Sequence, residues 1–210
     1  GIKMKVIVAT GNKDKAKEIR EILRDMDAGV TTMKEAGFFA QPEENGSTFL
    51  ENAIIKAKAV AEEAARDENW KDAIVIADDS GLVIDALNGE PGIYSARYLG
   101  HDTSYRVKNA DLIRRLEGVS GRERSARFIC AVAAVCPDGR VLTAEGAMEG
   151  QIGYEEQGEN GFGYDPIFYL PEFDCTSAQL SPEDKNSISH RGKALRAMRE
   201  KLGVSLEENR

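Results

Sequence analysis

Cysteine, long apolar runs and positive charge are all scarce in this chain. Its 210 residues include three cysteines, Cys130, Cys136 and Cys175. Cys130 and Cys136 lie in one strand-like run, about 20 Å apart when extended, which no disulfide can span. No CxxC or metal-ligand spacing occurs, and an odd, scattered set reads as reduced packing residues of a cytoplasmic protein. No apolar run approaches the roughly 20 residues needed to cross a bilayer. No amino-terminal segment has the basic, apolar, small-residue order of a signal peptide, and Gly1-Ile2-Lys3 ahead of Met4 reads as a vector-derived extension outside the fold. Lysine and arginine number 28 against 36 aspartates and glutamates, a net charge of −8. That balance argues against a protein that coats nucleic acid, which carries a basic face. It does not exclude a small polyanion, which a few local cations and a metal can neutralise.

What is present is a globular mixture, 41% hydrophobic and 30% charged, without repeats or low-complexity linkers. The length suits a single domain over residues 1–210, built as two lobes sharing a core. It suffices to bury most apolar surface without a disulfide or structural metal. Lys5 to Thr10 (KVIVAT) reads as a buried strand. It breaks at Gly11-Asn12, after which Ala16, Ile19, Leu23 and Met26 recur on one helical face. After a loop from Gln41 to Ser47, Thr48 opens a second helix with Leu50, Ala53, Ile54, Ala57, Val60, Ala61 and Ala64 as its stripe. Ala73 to Ala77 reads as a second buried strand ending at Asp78-Asp79-Ser80-Gly81, and Leu82 to Leu87 as another before an Asn88-Gly89 turn. Asp102 or Thr103 can cap a helix running to Leu116. Arg127 to Cys136 and Arg140 to Met148 flank Pro137-Asp138-Gly139 as a hairpin, which can serve as core or as a partner surface. Ser181-Pro182 opens a short helix, and Ser189 leads into the last one, with a frayed tail over residues 204–210. The pattern predicts an α/β fold: a mixed β-sheet with flanking helices.

Five segments carry candidate chemistry. Thr10-Gly11-Asn12-Lys13-Asp14-Lys15 stands at a strand-to-helix junction, where free N–H groups and the positive helix end suit a phosphate. It matches neither a P-loop nor a dinucleotide-binding fingerprint, and a plain helix start capped by Asn12 explains the same residues. Asp78 and Asp79 follow a buried strand; alternation points their carboxylates different ways, and together they make a hard-oxygen site suited to Mg²⁺, although Asp, Ser and Gly also make turns. In the acidic loop Glu43-Glu44-Asn45-Gly46, Glu44 is the freer metal ligand, because Thr48 and Glu51 fit a capping box. Lys56 faces solvent or phosphate. Gly161-Phe162-Gly163-Tyr164-Asp165-Pro166 sets an aromatic between glycines, where it packs its own loop or stacks on a base, worth roughly 1–3 kcal/mol. Lys185 and Ser189-His190-Arg191 form a basic cluster able to read an anion or a base carbonyl, while His190 alone reads as structural.

Taken in order, TGNKDK, TFLENAIIKA, ADDSGL, GEPGIYSARY, GFGYDPIF and SPEDKNSISHRGKAL resemble the inosine triphosphatase family, the XTP/dITP diphosphatases, from about Lys5 to Leu202. The resemblance implies hydrolysis of ITP, dITP and XTP to the monophosphate and pyrophosphate, a Mg²⁺ requirement, a homodimer, and two lobes around a substrate cleft. The acidic charge balance and the lack of a long apolar run lead to the expectation of no nucleic-acid and no membrane partner. Carried over by position, Thr10, Gly11, Asn12, Lys13, Asp14 and Lys15 would hold the triphosphate, with Lys56 assisting. Glu44 and Asp79 would bind metal; Asp79 would also accept the proton, with Asp78 beside it and Lys15 among the catalytic groups. Ser80, Phe162, Gly163, Tyr164, Asp165, Lys185, His190 and Arg191 would contact substrate. The chain departs from the family pattern at Gln179, where a glutamate is usual, at Cys175, usually polar, and in a longer connection from Arg66 to Asp72. The rival readings are a pyrophosphatase for other modified or ordinary nucleotides and a catalytically silent nucleotide sensor. Glu44, Asp78 and Asp79 argue against the sensor, since binding alone needs no base beside a metal.

Overall fold

In chain order the elements are β1 (Met4–Val8), α1 (Lys13–Ile22), β2 (Ala28–Thr32), α2 (Phe49–Ala65), β3 (Ile74–Ile84), α3 (Tyr105–Arg115), β4 (Ser125–Val135), β5 (Val141–Ile152), β6 (Phe168–Leu170), β7 (Cys175–Thr176), α4 (Pro182–Ile188) and α5 (His190–Glu208). This is a computed structural model that describes residues 4–208, with side chains as far as residue 203. Gly1-Ile2-Lys3 and the last two residues of the expected tail lie outside the described residues, and α5 runs past Gly203 to Glu208, beyond the expected onset of fraying.

Local chemistry sets the helix starts. Asn12 caps α1, its side chain accepting from the N–H of Asp14 at 2.9 Å and of Lys15 at 3.1 Å. Thr48 caps α2 through the Glu51 N–H at 3.0 Å. The Glu51 carboxylate reaches the Ser47 N–H at 2.6 Å, so the reciprocal half of the expected capping box is displaced by one residue. For α3 the cap is Ser104, not Asp102 or Thr103. The Thr103 hydroxyl already donates to the Leu99 carbonyl at 2.6 Å, and Asp102 pairs with His101. Ser181 caps α4, with Pro182 at its first position.

The strands form one seven-stranded sheet in the order β2-β1-β3-β4-β5-β6-β7. β1 is parallel to β2 and to β3, whereas β6 is antiparallel to β5 and β7, so the sheet is mixed as predicted. β2 was not legible: all five residues of AGVTT are half-exposed, as suits a short edge strand without apolar alternation. β3 corrects a second expectation. The strand does not end at Asp78 but runs through Asp78-Asp79-Ser80-Gly81 to Ile84, because the buried Leu82 and Ile84 continue its alternation. The hairpin between β4 and β5 closes through the Cys136 N–H and the Arg140 carbonyl at 2.9 Å. Its Cys130–Ala134 segment is fully buried, which makes that part of the hairpin core.

The chain divides into two compact units. The first comprises residues 1–79, 130–146 and 191–210, the second residues 80–129 and 147–190. In the first unit, strand alternation sorts side chains into two apolar layers. Val6, Val8, Ile74 and Ile76 pack with Ile19 of α1, with Leu23 just past its end, and with Ala194, Leu195 and Met198 of α5. Ile7, Ala9, Val75 and Ala77 pack with Ala53, Ala57 and Val60 of α2. In the second unit Leu82, Ile84, Leu112, Leu116, Phe128, Ile152, Ile167 and Phe168 build a separate core. Among the described residues no helix is long and apolar enough to cross a membrane.

Candidate active site

The layering decides where the acid pair points. Continuing β3 beyond Ile76, Asp78 falls on the α1/α5 side and Asp79, beyond Val75 and Ala77, on the α2 side. Asp78 is 1% exposed. Its Oδ2 lies 3.5 Å from the Lys15 ammonium, 3.4 Å from Arg191 Nε and 3.7 Å from the Cys130 thiol. Burial alone would raise its pKa, but Lys15, Arg191 and Lys56 outweigh burial and hold the carboxyl well below the usual range. Arg191 also binds the buried Glu18 carboxylate of α1 at 2.8 Å. Those two carboxylates overcome the desolvation of the guanidinium and raise its pKa further.

Asp79 has a different environment. Its partner is Lys56 of α2, at 3.8 Å from Oδ1. Burial, supported by the charges of Asp78 and Glu44, outweighs Lys56 and Lys15, and its pKa is pushed up to about 6. Two adjacent carboxylates are thereby driven apart, one held firmly ionised and the other moved toward neutral pH, as acid–base pairs require. Burial lowers the pKa of Lys15. It acts the same way on Lys56, where Asp78, Asp79 and Glu44 win and the pKa rises.

Gly46 and Asn52 fix the acidic loop. The Gly46 N–H donates to Asn52 Oδ1 at 2.8 Å, one helical turn before Lys56, whose ammonium lies 3.3 Å from Glu44 Oε1. A side chain at position 46 would have its Cβ 2.7 Å from both Asn52 Oδ1 and Glu51 Cβ, so only glycine fits. Glu51, engaged by Ser47, has a structural role. In the Thr10–Lys15 turn, the Thr10 hydroxyl accepts from Asn12 N–H at 3.1 Å, and Gly11, Asn12, Lys13 and Asp14 are exposed. Sequence reasoning passed over Glu18 and read Cys130 only as a packing residue. Glu18 had a signal, three residues after Lys15 on α1, which sets it beside Lys15.

The second unit holds the other predicted residues. Asp165 is buried and fully engaged: Oδ2 takes the Lys185 ammonium at 2.6 Å and the Phe162 N–H at 2.9 Å, and Oδ1 takes the Ser177 hydroxyl at 2.6 Å. The Lys185 ammonium lies 4.9 Å from the half-buried Phe162 ring. His190 is buried and stacked on Phe128, with centroids 4.8 Å apart, and Ser80 is half-buried on β3. Gln179 accepts from the Thr176 N–H at 2.9 Å in a capping box, so a neutral amide supplies the acceptor that the family's usual glutamate would. Gly161 has φ +70°, and a Cβ there would lie 2.3 Å from Asp165 Oδ2. Gly161→Ala should therefore destabilise by about 2 kcal/mol or more through backbone strain and a displaced ion pair; an unchanged thermal melt would contradict this packing.

The donors fit a hard cation. Asp78 Oδ1 and Asp79 Oδ2 are buried with no hydrogen-bond partner, and Glu44 and Asp79 converge on one ammonium. Among the described residues no group of three or more His, Cys, Asp or Glu side chains could hold a metal.

An α/β protein carrying paired carboxylates flanked by the partly buried Lys15 and Lys56 has the charge pattern of a class that handles phosphate compounds. Comparison with known proteins narrows this: residues 6–201 match the Ham1 family, and the chain belongs to it. It is 49% identical over 199 residues to the dITP/XTP pyrophosphatase of Desulforamulus reducens, covering 95% of this chain and 96% of that one. The dITP/XTP pyrophosphatase of Exiguobacterium sibiricum is 43% identical over 205 residues, covering 98% and 100%. A solved HAM1 protein from Coxiella burnetii superposes with a TM-score of 0.82 at 39% identity, over 96% of this chain and 99% of that one.

Proposed function

We propose that this chain is a nucleoside-triphosphate pyrophosphatase that hydrolyses ITP, dITP and XTP to the monophosphate and pyrophosphate, removing non-standard purines from the nucleotide pool. The observation that carries the reading is the split acid pair, with Lys15 beside Asp78 and Lys56 beside Asp79. Membership of a family whose near relatives bear the name dITP/XTP pyrophosphatase supports it.

Glu44 and Asp79 are the residues proposed to hold Mg²⁺, which when bound would neutralise phosphate charge. Asp79 accepts the proton of a water that attacks the α-phosphorus. A new P–O bond forms to that water, the α–β bridging bond breaks, and pyrophosphate leaves with the electron pair. In the metal-free protein burial raises the Asp79 pKa to about 6, which leaves the carboxylate ionised at neutral pH and more basic than an exposed one. Asp78, fixed in its ionised form, opposes the loss of charge that burial favours at Lys15 and orients that ammonium toward the phosphate chain. The Gly11 and Lys13 amides, which make no hydrogen bond within the described residues, offer further donors at the positive end of α1.

Base recognition is assigned to Phe162, Gly163 and Tyr164 and their supports Asp165 and Lys185, with His190, Arg191 or a backbone N–H donating to the 6-oxo group. A donor placed there is left unpaired by the 6-amino group of adenine, which disfavours ATP. Magnesium use, a homodimer and a cytoplasmic location are part of the same proposal. The exposed Tyr94, Leu99 and Val107 provide apolar surface for a second copy, and the three free cysteines suit a reducing compartment. Pyrophosphate release with Mg²⁺ should give kcat/KM for ITP, dITP and XTP at least about tenfold above ATP, the scale of one unpaired buried donor. Equal values for ATP and ITP would refute the selectivity, and no release from any nucleotide would favour the silent sensor.

A further inference from the structure

Asn109 belongs to none of the candidate motifs, yet it is a polar side chain only 1% exposed on α3. Its Nδ2 donates to the Gly163 carbonyl at 3.2 Å. That contact fixes the amide orientation, because a carbonyl can accept only from the NH₂ end. Oδ1 is then buried with no hydrogen-bond partner. An orphaned buried acceptor is unfavourable, so helix stability alone does not account for asparagine here.

Its neighbours on α3 act on the same segments. Tyr105, Lys108 and Asn109 stand at i, i+3 and i+4 and share one helical face. The Tyr105 ring would lie 3.5 Å from a Cβ at Gly163, whose φ is +66°, and it meets the Tyr164 ring edge-on at 5.0 Å. The Tyr164 hydroxyl donates to the Ser95 carbonyl, and the buried Lys108 ammonium donates to the Ala96 carbonyl at 2.8 Å. The Ser95 hydroxyl in turn accepts from the Leu82 N–H at 2.9 Å, on β3 a few residues beyond the acid pair. The YSARY part of the GEPGIYSARY block is thus tied through Ser95 to the GFGYD loop and to β3, and through Ala96 to α3.

We infer that Asn109 is a positioning residue that clamps the Gly163 peptide and so presets the Phe162 ring for the purine. The inference rests on the assignment of Phe162 as a base contact. Without the clamp, substrate binding itself must order the loop, which weakens binding while leaving the phosphate chemistry in place.

The test compares Asn109→Ala, Asn109→Asp and Phe162→Ala by thermal melts, by ITP kinetics and by hydrogen exchange of residues 158–166 without nucleotide. For Asn109→Ala the expected KM for ITP rises about five- to tenfold, the scale of one lost hydrogen bond, with kcat within about twofold. Amide exchange should accelerate in residues 158–166 and stay unchanged elsewhere. Asn109→Asp keeps the shape without the donor and should behave alike; should it fail to fold, the alanine variant carries the test. Unchanged KM in Asn109→Ala alongside a raised KM in Phe162→Ala overturns the inference. If Phe162→Ala leaves KM unchanged, the base-contact assignment fails, and exchange alone then judges the clamp: local acceleration supports it and its absence overturns it. A fall in kcat equal to the change in KM marks a general structural role and also overturns it.

Discussion

Asp79→Asn is expected to cut kcat by about 10²–10⁴, the usual loss for a missing general base, while making the metal-free protein harder to melt at pH 7.5. The two effects have one cause. The Asp79 pKa is raised to about 6 by burial, with Asp78 and Glu44 adding to it, so the folded protein binds this proton more tightly than the unfolded chain does. The associated stability is fully present below about pH 4 and is lost as pH rises through about 6. At neutral pH the ionised carboxylate therefore opposes folding, by on the order of 2 kcal/mol. Asparagine removes that charge, and a melt about 4–8 °C higher follows for a chain of this length. The gain should shrink toward zero as pH falls below about 4. Near-wild-type turnover would sink the role given to Asp79, and a lower metal-free melt at pH 7.5 would sink the electrostatic account.

Arg191→Met should be among the most destabilising single changes in the first unit. The guanidinium is shared by two buried carboxylates, Asp78 and Glu18. Removing it leaves both in the interior with the partly buried Lys15 beside Asp78. Breaking a buried ion pair from one side costs about 3–5 kcal/mol, which is a fall in melting temperature of about 10 °C. Adding Glu18→Gln removes one of the stranded charges, so the double variant should recover part of the loss, with a coupling of about 1 kcal/mol or more. A residue whose only task is to touch nucleotide would show no such fall. An unchanged melt in Arg191→Met would therefore return Arg191 to substrate contact alone.

The parts of the fold that follow local rules were readable. Asn12, Thr48 and Ser181 cap their helices as their residue types dictate, and alternation in KVIVAT and AIVIA gave the central strands and the divergence of Asp78 from Asp79. The GFGYDP and SPEDK blocks stood out in the sequence, but nothing local revealed that Asp165 and Lys185 are a buried pair. What escaped depended on tertiary context. β2 has no apolar pattern because an edge strand needs none, and Asp78-Asp79-Ser80-Gly81 looked like a turn because nothing local reveals that Leu82 will be fastened to Ser95. Asn109 gave no signal, since its partner is 54 residues away.

The central claim is attack of water at the α-phosphorus with pyrophosphate as leaving group. Hydrolysis of ITP in water labelled with heavy oxygen, with mass spectrometry of both products, tests it most directly. The expected result is one labelled oxygen in the inosine monophosphate and none in the pyrophosphate. Label in the pyrophosphate, or a diphosphate and orthophosphate as products, would contradict the account.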